Sequence, residues 1–125
     1  MIDLDANFLI SVIRRDPKAN RALARWVASG EEITMSSIAW SEFLCGPVSV
    51  RHVETARTFV ERIEPFTAED AALAAELFNE TGRRSRSHAD CMIAASAIGR
   101  DCPFATLERS GFVAFRRYRL KLQPV

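Results

Sequence analysis

The stretch "HADCMIAASAIGRDCPFAT", residues 88–106, decides the fold. Residues 88–99 are nearly all small or apolar and stop at Gly99, which reads as a helix ended by a glycine. "CPFAT", residues 102–106, follows as a short apolar strand. A helix that leads straight into an apolar strand is the crossover unit that parallel sheets need. One residue disturbs this bland reading. Asp90 sits near the front of the helix, and burying a lone carboxylate is expensive unless something neutralises it.

The same alternation extends in both directions. "MIDL" opens the chain as a strand, and "ANFLISVIRR" follows with Phe8, Leu9, Val12 and Ile13 at helical spacing. Pro17 permits a fresh helix start, and "KANRALARWVASG" closes it at Gly30. "EITMS" is a second strand, and "SSIAWSEFLCG" a helix capped by Ser36 or Ser37 and stopped by Gly46-Pro47. "VRHVETARTFVERI" reads as one amphipathic helix, with "EPF" as a short strand after it. Thr67 and Asp70 carry a capping signal for "AEDAALAAELFNETG". "RRSRS" is a basic loop, "ERSGFVAF" a helical turn, and "YRLKLQP" an edge strand limited by Pro124. Short strands alternating with helices predict a three-layer α/β/α fold with a mainly parallel central sheet.

Bulk properties bound the rest. A chain of 125 residues fits one domain, residues 1–125, and 48% hydrophobic residues can build a core for it. The net charge of +1 selects no class of partner, so local clusters must carry that argument. The first residues hold acids where a basic leader would be needed, and no apolar run approaches the ~18 residues of a membrane span. The expectation is a cytoplasmic protein with no membrane partner. Cys45, Cys91 and Cys102 lack paired spacing, and with only His52 and His88 to assist they read as reduced small hydrophobes rather than a zinc site or disulfides.

In parallel α/β sheets the functional crevice lies beyond the carboxyl ends of the strands. Asp5 follows the first strand, Glu42 lies within the helix after the second, and Asp90 lies in the first turn of its helix. Glu108 follows the "CPFAT" strand by two residues. Singly, three have an ordinary explanation, Asp5 as a helix cap, Asp90 as a partner of the helix dipole and Glu108 as a surface acid, whereas Glu42, flanked by Trp40, Phe43 and Leu44, is harder to read as a solvated charge. Four acids from four elements at one end of a sheet repel one another unless cations hold them together. An all-oxygen donor set suits Mg²⁺ or Mn²⁺. Arg83, Arg84 and Arg86 lead into the Asp90 helix and are the candidates for contacts to a polyanion's phosphates. Arg14-Arg15 and the group Arg116, Arg117, Arg119 and Lys121 read instead as solvated faces.

These motifs resemble the PIN-domain family, and in particular its VapC-type ribonuclease toxins. "MIDLDANFLI" is similar to the family's opening strand, with the first metal-binding acid at Asp5 and the following Asn at Asn7. "SSIAWSEFLCG" is similar to the second motif, with its acid at Glu42. "RSRSHADCMIAASAIGRDCPFATLERSGF" supplies the basic lead-in, the acid at Asp90, the strand, Thr106 and Phe112. Ala6 stands where many members have Thr or Ser, Glu108 where many have Asn or Asp, and Gly111 where many have a polar residue. The resemblance implies a Mg²⁺- or Mn²⁺-dependent endoribonuclease acting through Asp5, Glu42, Asp90 and Glu108, with Asn7 and Thr106 in support. It implies an RNA substrate, a cognate antitoxin and a homodimer. An RNA-processing nuclease without a toxin role is the nearest alternative. A receiver-like phosphoacceptor domain is a more distant one, because "EITMSSI" has no acceptor Asp and the late Lys in "KLQP" is misplaced.

Overall fold

The computed structural model describes residues 1–81 and 87–125. Among these residues four strands form one sheet: β1 (Ile2–Leu4), β2 (Ile33–Ser36), β3 (Arg62–Glu64) and β4 (Phe104–Ala105), in the order β3-β2-β1-β4. Every pairing is parallel, with Ile2 opposite Ile33, Asp3 opposite Phe104 and Thr34 opposite Arg62. The central strands β1 and β2 are buried along their whole length, as strands covered on both faces must be. The α/β fold with a parallel central sheet is therefore as the alternation of elements predicted.

Helices supply the crossovers: α1 (Ala6–Ile13), α2 (Pro17–Ala28), α3 (Ser37–Cys45), α4 (Val50–Arg57), α5 (Ala68–Glu80) and α6 (Ser87–Gly99). Pro17 stands at the first position of α2, where its missing N–H costs nothing, and Asp16 caps the helix by accepting from the Ala19 amide. Ser36 rather than Ser37 caps α3, accepting from Ala39 at 3.0 Å. The Thr67–Asp70 capping box opens α5 as expected, and each such cap stabilises its helix by about 1 kcal/mol. α1 packs on α2, α3 and α4, while α5 lies along α6, which also meets β2 and α3.

Three expectations need correction. The helix read across residues 50–63 ends at Arg57, and after a turn Arg62–Glu64 becomes β3, docked on β2. The expected "EPF" strand is therefore displaced upstream. The C-terminal strand shrinks to one bridge, Phe104 to Leu122, on the free edge of β4. Cys91 and Cys102 are buried, but Cys45 is exposed; all three are free thiols.

Between β4 and the C-terminus the chain forms two 3₁₀ turns, Arg109–Gly111 and Val113–Tyr118. Phe112 packs 4.8 Å from Phe104 and 6.0 Å from Phe115, ring centre to ring centre, which fixes the segment against the core. With those rings inward, Arg109, Arg116 and Arg117 face solvent.

Candidate functional site

Parallel pairing brings the carboxyl ends of β1, β2 and β4 to one edge, and a cleft of about 630 Å³ opens there. Its lining includes Ala6, Asn7, Ser41, Glu42, Cys45, Gly46, Asp90 and Glu108. Three of the four acids singled out in the sequence, with Asn7, thus share one cleft. The fourth, Asp5, sits just behind Ala6 and is only 3% exposed.

Asp5 occupies the N-cap position of α1 in extended conformation, but its side chain makes no capping hydrogen bond. The ordinary explanation of this acid as a helix cap fails. Its Oδ2 instead accepts from the Thr106 hydroxyl at 2.7 Å, across the β1–β4 pair. The same Thr106 oxygen accepts from the Glu108 amide at 3.0 Å. One fully buried threonine therefore sets both the Asp5 carboxylate and the start of the turn that carries Glu108.

The electrostatics are those of a crowded anionic site. Burial pushes the Asp5 carboxyl up from 3.8 to about 7; the Thr106 hydroxyl pulls it down, while Glu42 and Asp90 push it further up. Solvent reaches Glu42, yet its carboxyl is also raised, first by partial burial and then by Asp90 and Glu108. Two further carboxylates, Asp90 and Glu108, thus act on this pair through space. The donors are all oxygens, and their mutual repulsion is what a hard divalent cation relieves, so the residues fit such an ion. Among the described residues no three His, Cys, Asp or Glu side chains stand close enough to form a ready-made ligand set.

Sequence reasoning missed several parts of this region. Cys45 lines the cleft because it follows Glu42 by three residues on α3, a helical spacing that shares a face, and Gly46, the residue that ends the helix, lines it too. A Cβ at Gly46 would stand 3.2 Å from Ile10 Cδ1, so the glycine lets the end of α3 approach α1 closely. The larger omission is Asp3. Two residues before Asp5, and so on the same face of β1, it is fully buried and bonded to Arg100 at 2.8 Å and to the Thr34 hydroxyl at 2.9 Å. Arg100 follows the last turn of α6 and also reaches Ser96 Oγ at 2.6 Å, so this pair ties α6 to β1. Arg83, Arg84 and Arg86 lie outside the described residues.

Comparison with known proteins agrees with this architecture. Structures similar over most of the chain include VapBC2 from Rickettsia felis bound to a DNA fragment from its promoter, with a TM-score of 0.75 and 21% identity over 98% of each chain. VapBC-1 from nontypeable Haemophilus influenzae superposes with a TM-score of 0.72 at 20% identity, over 98% of this chain and 97% of that one. VapC20 from Mycobacterium tuberculosis, a sarcin-ricin loop cleaving toxin, gives a TM-score of 0.61 at 20% identity, over 82% and 85%. At such identities the likeness is one of fold. No curated protein matches the chain in sequence at a significant level. The model of the PIN domain matches residues 2–118, nearly the whole sequence, and the chain belongs to the PIN domain family.

Proposed function

We propose that this protein is a divalent-metal-dependent endoribonuclease and the toxin of a VapBC-type toxin–antitoxin pair. The observation that carries the reading is the convergence of acids from separate elements on one cleft, with Asp5 so buried and crowded that its ionisation calls for a cation. Asp5 and Asp90 would hold Mg²⁺ or Mn²⁺, with Glu42 and Glu108 completing the set directly or through water. Held by these residues, such an ion would supply polarisation of a phosphate oxygen and a lowered pKa for a bound water, so that hydroxide is available near neutral pH.

The chain's own residues do the rest. Thr106 holds Asp5 in place and lowers its proton affinity, opposing in part the burial that raises the carboxyl to about 7. Asn7, at the cleft wall, offers an amide to the phosphate or to water. Arg83, Arg84 and Arg86, just before α6 in the sequence, are assigned to the phosphates of the RNA. Two features support the partner assignments. The similar solved structures include toxin–antitoxin complexes, and one similar toxin cleaves the sarcin-ricin loop. An anionic cleft also suits an Arg or Lys side chain of an antitoxin, which would occupy the place of the cation. Among the described residues no helix is long and apolar enough to cross a membrane. A cytoplasmic homodimer is part of the proposal and is carried by the family resemblance alone.

The test is cleavage of purified RNA by purified protein. Activity should vanish with a chelator, return with Mn²⁺ or Mg²⁺, and be absent from Asp5→Asn and Glu42→Gln. Cleavage that persists in chelator, or in Asp5→Asn, contradicts the reading. Expression of an active, soluble protein without growth arrest would favour an RNA-processing enzyme over a toxin.

A further inference from the structure

A second cleft, of about 480 Å³, lies along the free edge of β4, where the C-terminal segment bridges to Phe104. Arg109, Arg116, Arg119 and Lys121 line it, all exposed, with Asp101 as the one carboxylate among the described lining residues. Asp101 is held by Lys121 at 2.8 Å, and Lys121 and Arg119 keep its carboxyl below the usual range. Four cations against one acid leave a formal excess of three positive charges in a chain whose net charge is only +1.

The backbone is built to present these groups. Phe112, Phe115 and Leu120 are buried, which turns Arg116 and Arg119 outward, and Arg119 closes its 3₁₀ turn with φ of +78°, in the left-handed region that non-glycine residues seldom occupy. Arg109 Nη1 donates to the Gln123 carbonyl at 3.0 Å, which pins the C-terminal segment beside the turn. Glu108 lines the acidic cleft and Arg109, the next residue, lines the basic one. Consecutive residues of one turn thus line an anionic cleft and a cationic one.

We propose that this basic cleft is a binding site for the phosphate backbone of single-stranded RNA, which it delivers across Glu108–Arg109 to the acidic cleft. The proposal rests on the nuclease reading, because it supplies what that reading lacks. The carboxylates repel a polyanion, and a cationic track one residue away offsets that repulsion. Flexible arginine and lysine side chains with no stacking aromatics among them suit a backbone grip without base preference.

The test uses the full-length protein and an Arg116→Ala/Arg119→Ala variant, both exposed positions outside the acidic cleft. Binding of a long fluorescent oligouridylate is followed by anisotropy in chelator across a range of salt. The variant should bind on the order of tenfold more weakly, and its salt slope should fall by about 1.4, from roughly 0.7 for each lost phosphate contact. With Mn²⁺, KM for the long strand should rise while kcat on a short oligoribonucleotide that fills only the acidic cleft stays unchanged. Equal binding and an equal salt slope in parent and variant would overturn the proposal even if cleavage is normal. Tight, salt-sensitive binding that the variant loses would uphold it even if the parent cleaves nothing, in which case the nuclease reading alone fails. Polyglutamate bound as tightly as RNA would also overturn it, since the cleft would then suit an acidic polypeptide.

Discussion

Asp5→Asn should stabilise the metal-free protein at neutral pH while abolishing its activity. The Asp5 carboxyl rises from 3.8 to about 7 in the folded state, a change of about a thousandfold in proton affinity. At about 1.4 kcal/mol for each tenfold, that amounts to about 4 kcal/mol. A carboxyl with a raised folded pKa binds more protons in the native than in the unfolded state between the two values. Stability should therefore fall as pH rises from about 4 to about 7, with the cost fully present above that window and absent below it. Asparagine keeps the shape and can still accept from Thr106, but it carries no charge to desolvate. Urea unfolding in chelator, repeated across that range, should show the parent losing up to about 4 kcal/mol of its stability and the variant losing much less. Added Mn²⁺ should restore the parent at neutral pH by mass action and leave the variant nearly unmoved. The same pH slope in both proteins would refute the reasoning.

Three further outcomes follow from individual contacts. Arg100→Met leaves the Asp3 carboxylate buried without its cation and should cost about 3–5 kcal/mol in urea unfolding, most of which Asp3→Leu in the same chain should recover. Thr106→Val removes the hydroxyl that lowers the Asp5 carboxyl, so the acid limb of the pH–rate profile should move to higher pH, with a loss of about 1 kcal/mol in stability. Gly99→Ala would place a Cβ 2.8 Å from Asp70 Oδ1 in the contact between α5 and α6, and should lower stability by about 1–3 kcal/mol in thermal or urea unfolding.

The order of elements was legible because local signals agreed with the global fold. Pro17, Ser36 and the Thr67–Asp70 pair each mark a helix start by chemistry that acts within a few residues. The meeting of the acids was legible for a topological reason, since parallel strands send all their carboxyl ends to one edge. β3 was not legible. Val53, Ala56, Val60 and Ile63 follow one another at intervals of three and four, so they mimic a helix, although only the first two are helical. Residues 62–64 are a strand because β2 offers a free edge, beginning where the Glu61 amide donates to the Ile33 carbonyl. Asp3 was hidden for a similar reason. Its partner Arg100 lies 97 positions away, and nothing in "MIDLD" distinguishes a paired buried acid from a surface one. The basic group Arg116, Arg119 and Lys121 was legible only as a solvated face, because Arg109 joins it in one cleft only once Phe112 and Phe115 are packed against Phe104.

The central claim is that the Asp5 and Asp90 carboxylates hold the ion on which RNA cleavage depends. The most direct measurement is a Mn²⁺ titration in which bound manganese, read from the electron paramagnetic resonance of the free ion, and RNA cleavage rate are followed on the same sample. The account predicts that rate rises in proportion to manganese bound by the parent, and that Asp90→Asn loses both together. Full cleavage with no manganese bound, or unchanged manganese binding in Asp90→Asn, would contradict it.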